Sequence, residues 1–224
     1  MRNVKVKKNL KKIIHIYLPE DSGKRRPNST EYYFFEYLFK RRLNKCTFHY
    51  YTERQKKDFL SYLKKEKNDH FGVILDLDFQ ASGADKNERI AEIQKLANLI
   101  KEYNNCKLYI SVRSWETWMC MHRSAYTKPF SNQTALEKDV SDDYKKTQEW
   151  YNANSEELYN SLELALKNCK LARRNVMNNV PAIGKEFIDE IPDFTITHNI
   201  NKLFEINTVT YVDLFIDGIR SFDS

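Results

Sequence analysis

Glycine is scarce in this chain of 224 residues, five in all, and proline is no more frequent. With so few glycines there is no G-x-x-x-x-G-K-[ST] run, so the chain is not a P-loop nucleotide-binding protein. Its four cysteines, Cys46, Cys106, Cys120 and Cys169, stand far apart without a C-x-x-C pair. That spacing argues against a zinc knuckle or a disulfide framework and predicts reduced, mostly buried thiols. No apolar run approaches the roughly 20 residues that cross a bilayer. The basic start MRNVKVKKNLKK has no apolar segment of a signal peptide behind it, so a cytoplasmic protein with no membrane partner is expected. Internal repeats and low-complexity linkers are absent as well.

What is present is a globular composition, 41% hydrophobic and 13% aromatic, under a solvated surface that is 30% charged with a mean hydropathy of -0.71. The length suits one α/β core with an appended helical region. Net charge is +6, unevenly spread: residues 1–70 hold 19 Lys+Arg against 8 Asp+Glu, and the remainder 18 against 23. A basic third of this kind is what attraction to phosphate needs, although lysines on solvated faces are the commoner cause.

Ile13-Ile14-His15-Ile16-Tyr17-Leu18, stopped by Pro19, predicts a buried strand. A polar loop from Glu20 to Ser29 follows, then Thr30 as a helix cap and an aromatic helix over Glu31–Phe39. Its Tyr32, Tyr33, Phe34 and Phe35 cannot all face one way. A strand at Cys46–Tyr51, a helix near Thr52–Lys65, and the apolar strand Phe71–Asp78 continue the alternation. Ile90, Ile93, Ala97 and Ile100 at helical spacing predict a helix over Asp85–Tyr103, and Leu108–Val112 a fourth strand. Residues 1–112 therefore form an α/β core with a mostly parallel sheet flanked by helices. Residues 113–224 are a helical extension completing the same unit: a helix at Trp115–Arg123, a loop over Lys128–Asp143, one long amphipathic helix over Glu156–Asn178, and a terminal helix beginning near Tyr211.

In parallel sheets, ligands gather beyond the carboxyl ends of the strands. Glu20 and Asp21 follow the first strand, and Asp76 and Asp78 close the third. Residues two apart in a strand point to one side, so Asp76 and Asp78 can converge on a hard cation, magnesium or manganese, with a loop glutamate. A lone D-x-D is common in charged chains. Here Asp76 interrupts an apolar strand, where a carboxylate costs free energy unless it is paired or coordinated. Such a cation suits phosphoryl transfer. Glu116, between Trp115 and Trp118, is either the partner of a buried cation or a further active-site acid. His122 could orient a phosphate or a proton, or be a hydrogen-bonded structural histidine. Trp118 belongs in the core. Lys24 and Arg25 in the first loop, with Lys145 and Lys146, are candidate phosphate contacts, solvated faces being the plain alternative.

A glutamate after the first strand and a D-x-D closing the third resemble the Toprim domain of topoisomerases, primases and related nucleases. The wider pattern resembles the RloB family of antiphage defence proteins. That family carries E-G-x-x-T-E-x-x-Y-F after the first strand, a Phe-Asp-x-Asp-like strand, and then an N-P-x-F-E-x-W-x-x-x-H segment. Thr30-Glu31-Tyr32-Tyr33-Phe34-Phe35 matches the T-E half, Leu75-Asp76-Leu77-Asp78 the acidic strand, and Ser114-Trp115-Glu116-Thr117-Trp118 through His122 the third segment. Tyr144-Lys145-Lys146 and Ala165–Lys170 look like downstream features, so the resemblance runs from about residue 13 to the C-terminal helix. Two positions depart from it. Glu20 is followed by Asp21-Ser22-Gly23 and an insertion to Ser29, which leaves Glu20, Asp21 and Glu31 as alternatives for the first catalytic acid, and Arg113 stands where the family has proline.

The resemblance implies a Toprim-like fold and a magnesium- or manganese-dependent nuclease, the toxic effector of an abortive-infection system. Its catalytic acids would lie among Glu20, Glu31, Asp76, Asp78 and Glu116, its metal ligands being Glu20, Asp76 and Asp78. Its substrate would be DNA or RNA, tRNA included, its controller an ATPase partner, and a homo-oligomer is compatible with it. The altered first loop keeps a second expectation open, a non-catalytic nucleic-acid-binding or regulatory subunit on the same fold. A divalent cation among the acids favours the enzyme; a sealed or ion-paired acidic cluster favours the binding module.

Overall fold

The computed structural model describes residues 11–21, 27–77, 83–179, 186–206 and 208–222. Four strands, β1 (Lys12–Leu18), β2 (Cys46–Thr52), β3 (His70–Leu77) and β4 (Cys106–Val112), form one sheet in the order β2-β1-β3-β4. All three pairings are parallel. Apolar, β-branched and aromatic runs buried on both faces account for this. In β1, Ile14, Ile16 and Leu18 enter one core and Tyr17 the other; β3 sends Ile74 to the first and Phe71, Val73, Leu75 and Leu77 to the second.

Parallel neighbours need crossover helices. Between β1 and β2 runs α1 (Thr30–Phe34), which continues as a π-helical turn at Phe35–Phe39. It buries Phe34, Phe35, Leu38 and Phe39 in the first core. A 3-10 turn at Glu53–Gln55 and α2 (Lys56–Lys65) lead to β3, and α3 (Gly83–Ile100) leads to β4. Phe59 and Leu63 of α2 and Ile93 and Leu96 of α3 fill the second core. The chain thus leaves β1 over one face and β3 over the other, and β1 and β3 lie side by side. Their carboxyl ends mark the switch point where a crevice opens.

Past β4 follow α4 (Trp115–Met121), α5 (Gln133–Val140), α6 (Gln148–Asn160), α7 (Leu162–Asn179), α8 (Glu186–Asp189), α9 (Thr197–Glu205) and α10 (Val212–Arg220). Helices α4, α6, α7 and α10 cover the first face, while Ile200, Leu203 and Phe204 of α9 join the second core. Gly72 in β3 shows how tightly α10 seats: a Cβ there would meet the Phe215 ring at 2.6 Å. Among the described residues no helix is long and apolar enough to cross a membrane.

Three sequence expectations are corrected. The expected loop over Lys128–Asp143 contains α5, capped by Asn132, whose Oδ1 accepts from the Ala135 amide at 2.9 Å, and anchored by Leu136 and Val140 one turn apart. The single helix expected over Glu156–Asn178 is two helices, α6 starting at Gln148 and ending at Asn160, with Ser161 between it and α7. The Ser161 hydroxyl lies within hydrogen-bonding distance of the Glu157 and Leu158 carbonyls, competing with the helical ladder. The cap of α1 is Ser29, one residue before Thr30, its side chain accepting from the Tyr32 amide. Elsewhere the strands lie where apolar patterning puts them, and all four cysteines are free and buried.

Candidate metal centre

Register brings the acids together. Tyr17 of β1 pairs with Val73 of β3, so the turn after β1 that carries Glu20 begins beside the end of β3 that carries Asp76. α1 starts beside this crevice and places Glu31 in its first turn. One carboxylate oxygen from each of Glu20, Glu31 and Asp76 lies within 4.8 Å of the other two. Asp21 turns aside, accepting from the Asn28 amide. Of the three alternatives for the first acid, the geometry brings Glu20 and Glu31 to Asp76 and leaves Asp21 out. Asp78, Lys24 and Arg25 lie outside the described residues.

The three carboxylates are poorly compensated. Asp76 Oδ2 accepts from the Trp115 amide at 2.8 Å, whereas Oδ1 is buried without a partner. Desolvation pushes the Asp76 pKa well above the usual carboxylate range, helped by Glu31, Glu20 and Glu116 and opposed by the Trp115 amide. Burial raises that of Glu31 too, against hydrogen bonds from its own amide, Ser29 and Thr30. Glu20 is pushed up to about 7, first by desolvation, with Arg89 opposing and Glu31 adding. Arg89 of α3 binds the Glu20 carboxylate and the Asp76 carbonyl, and pairs with Glu92 at 2.6 Å. Sequence reasoning missed Arg89, whose partners are 69 and 13 residues away. Only its Arg89-x-x-Glu92 spacing was visible.

An all-carboxylate set suits a hard cation such as Mg2+ or Mn2+. Ligand oxygens on opposite sides of an octahedral Mg2+ stand about 4.2 Å apart, so a cluster of this span needs little adjustment to share one ion. The buried, unpartnered Asp76 Oδ1 fits as well, because a lone carboxylate oxygen is costly there without a cation or a donor. Glu20, Glu31 and Asp76 are thus the residues that would hold a metal.

Glu116 sits apart in a different network. Buried in the first turn of α4, it accepts from Ser114 Oγ (2.8 Å), Gln133 Nε2 (2.9 Å) and Tyr144 OH (2.8 Å). Lys146 Nζ lies 3.3 Å away and also pairs with Glu137 at 3.0 Å. Of its two expected roles, the structure supplies the buried carboxylate with a cation partner. Lys145 is exposed. His122 is buried, its Nδ1 2.9 Å from Ser161 Oγ, with its ring edge-on to Trp118. Trp118 is fully buried, as expected. At Arg113 the backbone has φ of 80° and the amide donates to the Leu77 carbonyl at 3.0 Å. Proline could supply neither that angle nor that amide at this position. No family model, curated protein or solved structure matches the chain.

Proposed function

We propose that the chain is a metal-dependent nuclease of the Toprim type, similar to RloB, that cuts a phosphodiester of DNA or RNA. The observation that carries this reading is the convergence of Glu20, Glu31 and Asp76 at the β1/β3 switch point, with a buried Asp76 oxygen unpartnered. Asp76 and Glu20 would hold Mg2+ or Mn2+, which when bound polarises a phosphate oxygen. The Trp115 amide keeps Asp76 oriented. Glu31 would complete the ligand set, and Arg89 would meet phosphate charge. The resemblance adds an effector role in antiphage defence under an ATPase partner.

A second reading is a binding module without catalysis, and the Arg89–Glu20 pair favours it, since an arginine on an acidic cluster can replace a cation. Arg89 covers one carboxylate of three, however, which leaves Glu31 and Asp76 without a cationic partner among the described residues. Incubation of purified protein with tRNA, single-stranded and duplex DNA, with and without Mg2+ or Mn2+, separates the two readings when run beside calorimetric titration of the metal. Cleavage that needs the metal and disappears in Asp76→Asn supports the enzyme. Absence of both metal binding and cleavage supports the module.

A further inference from the structure

Seven residues along α4 from Trp115 lies a cavity of about 180 Å³ between the end of α4, the end of α5 and α6. Met119, Val140 and Leu158 line it with carbon. His122, Ser141 and Trp150 also line it, and each has a buried polar atom without a hydrogen-bond partner: Nε2, Oγ and Nε1. Nine side-chain atoms are stranded in this way among the described residues. Three of them on one small cavity point to a ligand, since buried polar groups are ordinarily satisfied. His122 and Ser141 are 6% and 7% exposed, whereas Arg123 and Asp143 at the rim are open to solvent.

The polarity of each group follows from its neighbours. The one hydrogen of Ser161 Oγ has the Glu157 and Leu158 carbonyls to go to, so Oγ accepts from His122 Nδ1–H. Burial holds the imidazole neutral, its pKa down at about 3, and Nε2 is then a bare acceptor. Ser141 and Trp150 bring donors. The Asp143 carboxylate stands beside both and is held below its usual range, first by Ser141, without either donor reaching the geometry of a formed bond. The site thus offers two acceptors, a carboxylate and an imidazole nitrogen, beside a hydroxyl and an indole N–H.

We propose that this cavity is a base-recognition pocket that takes guanine. Its volume falls below the about 300–1,000 Å³ of pockets for drug-sized ligands, yet equals about six waters, room for one planar heterocycle against the Trp150 indole. Among the four common bases only guanine carries two adjacent edge donors, N1–H and N2–H, which match the two oxygens of Asp143. Its second N2 hydrogen suits His122 Nε2, and its O6 accepts from Ser141 or Trp150. A base drawn out of its stack and read on this edge is how enzymes acting on nucleic acids select a nucleotide. The polymer context rests on the nuclease reading; the pocket itself does not.

Titration with GMP, AMP, CMP and UMP in metal-free buffer, followed by calorimetry and tryptophan fluorescence, tests the pocket without any cleavage. GMP should bind at least about tenfold more tightly than the others, and Asp143→Asn, an exposed change, should erase that preference. Trp150→Phe, which keeps a ring and removes the donor, should weaken GMP severalfold while leaving the thermal midpoint near that of the parent. Equal binding of all four nucleotides, no binding at millimolar concentration, or GMP affinity unchanged in both variants overturns the proposal. A chain that binds GMP but never cuts keeps the pocket and loses the nuclease; one that cuts with Mg2+ and ignores GMP does the reverse.

Discussion

Arg173 and Asp213 are buried more completely than the part-buried Asp76, and their charges meet the opposite outcome. Arg173 of α7 meets Asp213 of α10 through two bonds of 2.7 Å, and two further donors go to the Ile188 and Thr210 carbonyls. Every charge there has an opposite charge at bonding distance, and the pair holds two helices together. At the switch point Arg89 pairs with Glu20 alone of the three carboxylates Glu20, Glu31 and Asp76, and an oxygen of Asp76 has no partner. Glu116 stands between these cases, with one half-exposed lysine and three neutral donors for a fully buried carboxylate. A satisfied buried pair is an element of structure. An acidic cluster left under-compensated is a place where the fold gives up stability, a cost that the proposed cation would offset.

Breaking the satisfied pair should have the largest effect. Asp213→Ala leaves the Arg173 guanidinium buried without its carboxylate and should cost about 3–5 kcal/mol in urea unfolding. A loss below about 1 kcal/mol would put the two regions on the same footing.

Glu116→Gln should cost less, about 1–3 kcal/mol, because its amide would set two hydrogens against the donors of Ser114 and Gln133. Thermal unfolding and cleavage measured together on this variant would show a fall in midpoint with activity lost in proportion. Activity lost at an unchanged midpoint would instead move Glu116 into the active site.

The smallest effect should have the opposite sign. Raised carboxylate pKa values mean that the folded chain binds more protons than the unfolded one, for Glu20 between about 4.5 and about 7. Stability from the protonated acids is therefore complete below that window and lost as pH rises through it. Asp76→Asn, whose amide can donate to Glu31, should melt higher than the parent at pH 8 and at the same temperature at pH 3. Millimolar Mg2+ should raise the parent's midpoint at pH 8 and not that of the variant. Comparing the two proteins cancels His122 and His70, whose depressed values of about 3 and about 4 tilt both curves the other way. A parent that gains nothing from Mg2+ at pH 8 would make the acid cluster a structural feature like Arg173–Asp213.

Much of the fold was legible because its signals are local. Ile13–Leu18 and Phe71–Leu77 are apolar on both faces, as strands between two helical layers must be, and each is followed by a polar break. Asn132 as a cap, with Leu136 and Val140 beyond it, was a readable helix signal submerged in polar surroundings. The break at Ser161 was hidden, since serine is tolerated inside helices and its effect depends on where its hydroxyl turns. Within the candidate site, Glu20 and Asp76 were readable from their places at strand ends. Their neighbour Glu31 was readable only as an alternative.

The sequence by itself determined the alternation of strands and helices, the parallel sheet, the burial of the cysteines and Trp118, and the rim on which acids would collect. Those follow from periodicity and from the chirality of crossover connections, which act over short stretches of chain. Tertiary structure alone decided that Asp21 stays outside the cluster, that Arg89 reaches across to Glu20, that Glu116 answers to Lys146 and Tyr144, and that three stranded polar atoms surround one cavity beside α4. These are meetings of residues tens of positions apart, and their charges and donors acquire a partner, or lack one, only when packing brings them within a few ångströms.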